Sequence, residues 1–229
     1  MAGKARFSRG MFEFLADLAL NNNREWFQAN KARYEAEVRD PLVEFVSDFA
    51  ERAGEISPHI KADPKPVGGS IFRIYRNLRF SKDKTPYKTA AAAHFQHVSG
   101  KDVHAPGFYL HLEPGNVLSG GGIWHPDPPS LKRIRDAIVT HPDEWRAITT
   151  NKKLLKDHTV EGDALKRPPK GYDADHPMIE DIKKKDHSTT RYYTEDEVLS
   201  EDFVDTYVAS CKTESPYIEF IANALGVPW

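Results

Sequence analysis

Apolar positions recur every three or four residues through the first fifty residues of the chain. Met11, Leu15, Leu18 and Ala19 form one helical stripe, and Asn21-Asn22-Asn23 ends it. Asn23 has the short, oxygen-bearing side chain of an N-cap. A second helix is therefore predicted to start there, with Phe27, Tyr34 and Val38 on one side. Leu42, Phe45, Val46 and Phe49 mark a third segment. Asp40-Pro41 either caps that segment as a new helix or bends one longer helix. Residues 57–70 hold Pro58, Pro64, Pro66, Gly68 and Gly69 and are predicted to be loop.

After Ser70 the period falls to two. Strands are predicted over 70–77, 89–98, 107–113 and 116–124, with Glu113-Pro114-Gly115-Asn116 as a hairpin turn. These connections are too short for crossover helices, so the sheet is expected to be mainly antiparallel. Helical spacing returns with Leu131, Ile134 and Ile138, and again around Trp145 over 142–151. Residues 166–175, which include Lys166-Arg167-Pro168-Pro169, are predicted to be loop, 177–185 helix and 188–194 strand. Thr194-x-x-Glu197 has the form of a capping box, and Phe203, Val204, Tyr207 and Val208 make another stripe. Ser215-Pro216 is expected to open a last helix, and Gly226 occupies the position after a helix end. Together these elements predict a single α+β domain over 1–229. Its central sheet is largely antiparallel, with helices from both chain ends packing on one face.

The chain has 229 residues, with 32 Lys plus Arg against 34 Asp plus Glu, a net charge of −2. That balance predicts a folded chain and argues against wholesale coating of nucleic acid, while leaving local patches open. No apolar run reaches the roughly 18 residues of a membrane helix, so no membrane role is expected. Glu13 and Asp17 interrupt the apolar stretch near the N-terminus, from which we expect no secretory signal and a cytoplasmic location. Cys211 is the only cysteine. An intramolecular disulfide and a cysteine-based zinc site are thereby excluded, and its place in a helix stripe predicts a small core residue. Trp26, Trp145 and Trp229 are expected to pack. The Gly-x-Ser-x-Gly and Gly-x-x-x-x-Gly-Lys patterns of α/β-hydrolases and phosphate-binding loops do not occur.

Strand alternation separates two faces. Phe72 and Ile74, Phe95, and Phe108, Leu110 and Leu112 belong to one. Arg73, Tyr75, His94, Gln96, Tyr109, His111 and Glu113 belong to the other. This second set is rich in groups that bind and titrate near neutrality, so it is either a ligand-binding face or a half-solvated face of cross-strand polar pairs. Between Pro64 and Lys88 lie seven cations, Lys65, Arg73, Arg76, Arg79, Lys82, Lys84 and Lys88, against the single anion Asp83, a local charge of +6. Tyr75, Phe80 and Tyr87 are interleaved with them. Arginine and lysine at this density suit phosphate or carboxylate, or else form a solvated basic hairpin. Gly120-Gly121-Gly122 weakens a strand unless something approaches closely: a ligand, a neighbouring backbone or Trp124. His125 follows, and Asp127 either orients it or caps the next helix ahead of Pro128. Asp175 before His176-Pro177 repeats that ambiguity. No His-x-x-x-His spacing occurs, so no metal ligands are assigned and no cofactor is named.

Several motifs carry a resemblance. They are Asn22-Asn23-Arg24-Glu25-Trp26-Phe27, Phe72-Arg73-Ile74-Tyr75-Arg76, the run Arg79 to Lys88 (RFSKDKTPYK), Gly107-Phe108-Tyr109, Gly120 to Pro126 (GGGIWHP) and Leu165 to Gly171. The chain resembles, from about Phe7 to Leu225, a family of uncharacterised bacterial and fungal proteins known only as a domain of unknown function. The resemblance implies one full-length unit and supplies no activity or catalytic residue.

The leading expectation is an anion-binding protein. Arg73, Arg76, Arg79, Lys82, Lys84 and Lys88 would neutralise a phosphate or carboxylate, with Tyr75 and Trp124 as aromatic walls and Tyr109 beside them. The alternative is a hydrolase-type enzyme on the same face, with His111 or His125 as general base and Glu113 orienting or protonating. A third reading is a protein- or nucleic-acid-interaction module that uses the basic hairpin. Nucleic acid is disfavoured by the overall charge.

Overall fold

The computed structural model describes residues 5–79, 81–100 and 105–229. Helix α1 (Arg9–Leu20) buries Met11, Phe14, Leu15 and Leu18, the predicted stripe. Asn23 caps α2 (Arg24–Ala29), its side chain accepting from the Trp26 N–H at 2.9 Å. Helix α3 (Lys31–Tyr34) runs through a π-helical turn, Glu35–Arg39, directly into α4 (Asp40–Arg52). Asp40 is therefore not an N-cap: its backbone is helical, and the chain is continuous across Pro41. The widened turn sits directly before the proline, where a regular helix would bring the ring against an upstream carbonyl.

The central sheet has five strands in the order β1-β2-β3-β5-β4, every pair antiparallel. They are β1 (Ala91–Gln96), β2 (Gly107–Glu113), β3 (Asn116–Ile123), β4 (Thr159–Glu161) and β5 (His187–Tyr193). Between β3 and β4 lie α5 (Pro128–Thr140), α6 (Pro142–Thr149) and α7 (Lys152–Asp157). Between β4 and β5 comes the short α8 (Ile179–Ile182), a single turn where a longer helix is predicted. After β5, Thr194 and Glu197 form the expected capping box at α9 (Glu195–Val198).

The predicted strand over 70–77 is a correction. Ile71 bridges Ala93, but Tyr75 bridges Tyr87, so the segment changes partner partway and forms no regular strand. The last helix also differs from expectation. It is a single element, α10 (Phe203–Ala224), with Pro216 inside it rather than at its start. Eleven buried residues along α10 outweigh the one hydrogen bond that the proline removes. Gly226, at φ +73°, ends it in a Schellman motif, with Gly226 N–H on Asn223 O and Val227 N–H on Ala222 O.

Helix α10 crosses the apolar face of the sheet. Phe49 of α4 and Tyr207 of α10 both meet Phe95 of β1, at ring-centroid distances of 4.3 and 5.9 Å. A polar cluster is buried in this layer. Glu214 accepts from Thr189 Oγ1 at 2.6 Å and Ser210 Oγ at 3.0 Å, and lies 3.2 Å from His158 Nε2. Gly121 permits the approach, since a Cβ there would come within 2.6 Å of Glu214 and Ile218. Trp145 and Cys211 are buried, and Trp26 and Trp229 pack against the core. Among the described residues no helix is long and apolar enough to cross a membrane.

Candidate functional site

Register places residues in rows across the second face of the sheet. Ala92, His111, Leu118 and Tyr192 form one row; His94, Tyr109, Gly120 and Thr190 form the next. Gln96, Gly107, Gly122 and Ser188 form a third. Gly107, Gly120 and Gly122 leave this floor bare of side chains. What approaches them is neighbouring backbone. A Cβ at Gly107 would stand 2.4 Å from Phe95 O, at Gly120 2.7 Å from Thr189 O, and at Gly122 2.1 Å from His187 O. Over the floor opens a slot of about 480 Å³, walled by Phe72, Trp124, Leu118 and Tyr109 and edged by Glu161, Ser188 and Thr190.

A second cavity of about 460 Å³ adjoins it and shares Phe72 and Tyr109, whose rings meet edge to face at 6.1 Å. Lys88, Arg76, His111 and Glu113 line it. Here three side chains of β2 are hydrogen-bonded in series. Tyr109 Oη lies 2.9 Å from His111 Nδ1, and His111 Nε2 lies 3.3 Å from Glu113 Oε2. Thr89 Oγ1 donates to Glu113 Oε1 at 2.6 Å. Burial pushes the Tyr109 hydroxyl up to about 12, with the charge of Glu113 adding to the effect. Burial alone would raise Glu113, but hydrogen bonds from Thr89, His111 and Asn116 outweigh it and hold its carboxyl below the usual range.

Lys88 is half-buried, its Nζ 4.8 Å from the centroid of the Phe72 ring. Desolvation lowers its pKa, and the positive charge of Arg73 lowers it further. No carboxylate pairs with Lys88 among the described residues. Its backbone is anchored to Ile74 O, and the adjacent Tyr87 exchanges two hydrogen bonds of 3.0 Å with Asn22 and stacks on Phe27 at 4.1 Å.

The basic segment does not converge on this cavity as a whole. Arg76 is held by Asp83 and Thr85, with Ser81 Oγ at 3.4 Å. Backbone and side-chain donation from Thr85 and the Arg76 guanidinium hold the Asp83 carboxyl down at about 2. Lys84 donates to Leu78 O at 3.1 Å. Arg79, Lys82 and Lys84 are exposed and line neither cavity. Arg73 and Tyr75 are not on the face of His94 and Tyr109, a second correction. Because 70–76 changes partner, Phe72 takes that place, and Tyr75 packs on Phe27 and Tyr87 at 6.1 and 5.4 Å. Phe80 lies outside the described residues.

His125 lies apart from His111, beyond the far end of β3. Its φ of +45° makes it the only non-glycine residue with positive φ among the described residues. Its carboxylate partner is Asp186, not Asp127. Asp127 caps α5, accepting from Ser130 N–H at 2.8 Å. Asp186 is fully buried, whereas the His125 side chain is 55% exposed. Asp186 Oδ1 accepts from the His125 N–H at 2.6 Å and lies 3.2 Å from Nδ1; Oδ2 has no partner among the described residues. The Trp124 and His125 rings meet at 4.4 Å, which places this pair behind the slot's outer wall. His125 itself borders a separate cavity of about 510 Å³ with His97, Asp127 and Ser130.

Sequence reasoning missed Asp186, Glu161 and the inward turn of Phe72. Asp186 is 61 residues from His125 and has no local signal, whereas the alternation of β5 could have placed Ser188 and Thr190. Among the described residues no group of three His, Cys, Asp or Glu side chains is placed to hold a metal ion. Against known proteins, a family described as "Conserved hypothetical protein (DUF2461)" matches residues 10–220. No curated protein matches the chain.

Proposed function

The chain belongs to this conserved hypothetical family, DUF2461, and from that premise and the site's geometry we propose that it binds a small anionic ligand, phosphate- or carboxylate-bearing, in the cavity of Lys88. One observation carries the reading. Lys88 is a partly desolvated cation beside a second cation, Arg73, with no carboxylate paired to it among the described residues. A buried charge without a counter-charge is costly, and a bound anion would supply the missing partner. Two adjoining cavities of about 460 and 480 Å³ fall within the roughly 300–1,000 Å³ of small-molecule sites. On this reading the anion contact narrows from the whole basic segment to Lys88, with Arg76 lining the same cavity but held by Asp83 and Thr85.

The test is a thermal-shift and calorimetric titration with inorganic phosphate, pyrophosphate and citrate, run on the wild type and on Lys88→Met. The expected result is stabilisation by at least one anion, falling tenfold or more in affinity in the variant. Equal responses in the two proteins would overturn the reading.

The serial contact Tyr109–His111–Glu113 favours a second reading, acid–base chemistry on the bound anion. Glu113 orients His111, and Tyr109 presents a hydroxyl on the other ring nitrogen. Turnover of aryl phosphate or carboxylate esters that disappears in His111→Gln, with anion binding retained, would support it. Turnover unchanged in that variant would reject it.

A further inference from the structure

The charge and shape of the adjoining slot say more about the ligand. Resting on the anion reading for Lys88, we infer that the ligand carries a planar, amino-bearing heteroaromatic ring that lies on the glycine floor, as in a mononucleotide. Three observations support this. The floor is flat because Gly107, Gly120 and Gly122 are adjacent positions on two strands and cannot carry a side chain without striking neighbouring carbonyls. Adjacent strands lie about 4.8 Å apart and alternate residues about 7 Å apart, so the bare patch matches the face of a fused bicyclic ring. The walls are aromatic. Trp124 is 56% exposed beside the slot, and Phe72 stands edge to face on Tyr109. Aromatic walls over a flat floor suit stacking, which favours rings over chains of equal charge.

The third observation is polarity along the groove. Glu161 borders the slot at the row of Gly122, and its carboxylate already accepts from Thr159 and Thr190 at 2.6 and 3.1 Å. An anionic arm is repelled from that end, and an exocyclic amine there gains an acceptor. Lys88, which lines the adjoining cavity with its Nζ 4.8 Å from the Phe72 ring centroid, favours the anion at the other end. His111 pairs with Leu118, four residues before Gly122 on β3, a separation of about 13 Å that is close to the length of an extended mononucleotide. Ring and anion thus have opposite, defined ends.

The test compares adenosine 5′-monophosphate, inosine 5′-monophosphate, ribose 5-phosphate and inorganic phosphate by calorimetry, with Trp fluorescence as the local reporter. Adenosine 5′-monophosphate is expected to bind at least tenfold more tightly than ribose 5-phosphate and several-fold more tightly than the inosine compound. Glu161→Gln should erase the preference for the amino-bearing ring. Thr190→Trp should fill the slot and bring adenosine 5′-monophosphate down to ribose 5-phosphate, with inorganic phosphate unaffected. Should that variant fold poorly, Glu161→Gln alone decides the polarity. Equal affinity for adenosine 5′-monophosphate and ribose 5-phosphate, both dependent on Lys88, would overturn the ring and leave the anion site standing. Failure of every phosphate, with Lys88→Met indistinguishable, would overturn both.

Discussion

The two faces of the sheet each carry a histidine–carboxylate pair of nearly the same length. His158 lies 3.2 Å from Glu214 on the core face, and His111 lies 3.3 Å from Glu113 on the groove face. Their surroundings differ. Both oxygens of Glu214 are engaged, by Ser210 and His158 on one and Thr189 on the other, and the whole cluster is buried. The groove-face pair opens on a cavity, stands beside a Lys88 that no carboxylate among the described residues neutralises, and extends to a Tyr109 hydroxyl at the slot's edge. Polar groups that close on one another hold a fold together, whereas a set that leaves a charge unanswered is poised to receive something. His125–Asp186 is intermediate: its carboxylate is as buried as Glu214, yet one oxygen has no partner among the described residues and its histidine faces outward.

The contrast can be broken by mutation. Glu214→Ala should cost most, about 3–5 kcal/mol in urea unfolding, because it strands buried partners. A loss as small as that of Glu113→Gln would mean that burial is not what separates the pairs. Asp186→Ala should cost about 2 kcal/mol, the loss of a buried acceptor for a backbone N–H, and should free His125 from its strained φ, visible as a changed backbone amide shift. Glu113→Gln should cost under about 1 kcal/mol at neutral pH. Its carboxyl is held low in the fold, so its contribution is full above the unfolded value near 4.5 and fades as pH falls through the folded one. The variant should flatten that acid limb.

Lys88→Met should change stability least, by no more than a few tenths of a kcal/mol at neutral pH, while abolishing the anion response. The sign with pH is distinctive. Lys88 is held below its ordinary 10.5, so its charged form penalises the fold at neutral pH. Stability should rise as pH climbs from the lowered folded value toward 10.5, and this rise should vanish in the variant. Bound phosphate should cancel the rise in the wild type by restoring the preference for the charged form.

Local signals were the legible ones. The Asn23 cap, the Thr194–Glu197 box, Gly226 and the Phe108, Leu110, Leu112 alternation all depend on neighbours within a few residues, and each appears where the sequence places it. What failed depended on distant partners. Alternation at Phe72-Arg73-Ile74 suggests a strand, but the pairing partner changes from Ala93 to Tyr87, which turns Phe72 into the groove. Pro216 looks like a helix start until the burial along α10 is counted. The glycine run signals close approach, and only the register shows that the approaching groups are carbonyls of neighbouring strands on one face and Glu214 on the other. The candidate site was half legible: Lys88, Tyr109, His111 and Glu113 line one cavity, whereas Arg73, Arg79, Lys82 and Lys84 of the basic segment do not.

The strand order sets a timetable for building the groove. The β2–β3 hairpin closes through Pro114 and Gly115, but β3 meets β5 only by joining Ile123 to His187 across three intervening helices, the β4 strand and a fourth short helix. Closing so long a loop costs more entropy than closing a tight turn, and non-local pairings form late. His111, Tyr109 and the glycine floor thus assemble early on the nascent meander, and Ser188, Thr190 and Glu161 complete the slot only when that last seam zips shut. Until then one edge of β3 has no partner strand, so the order of assembly makes the far side of the groove the last part of the sheet to mature.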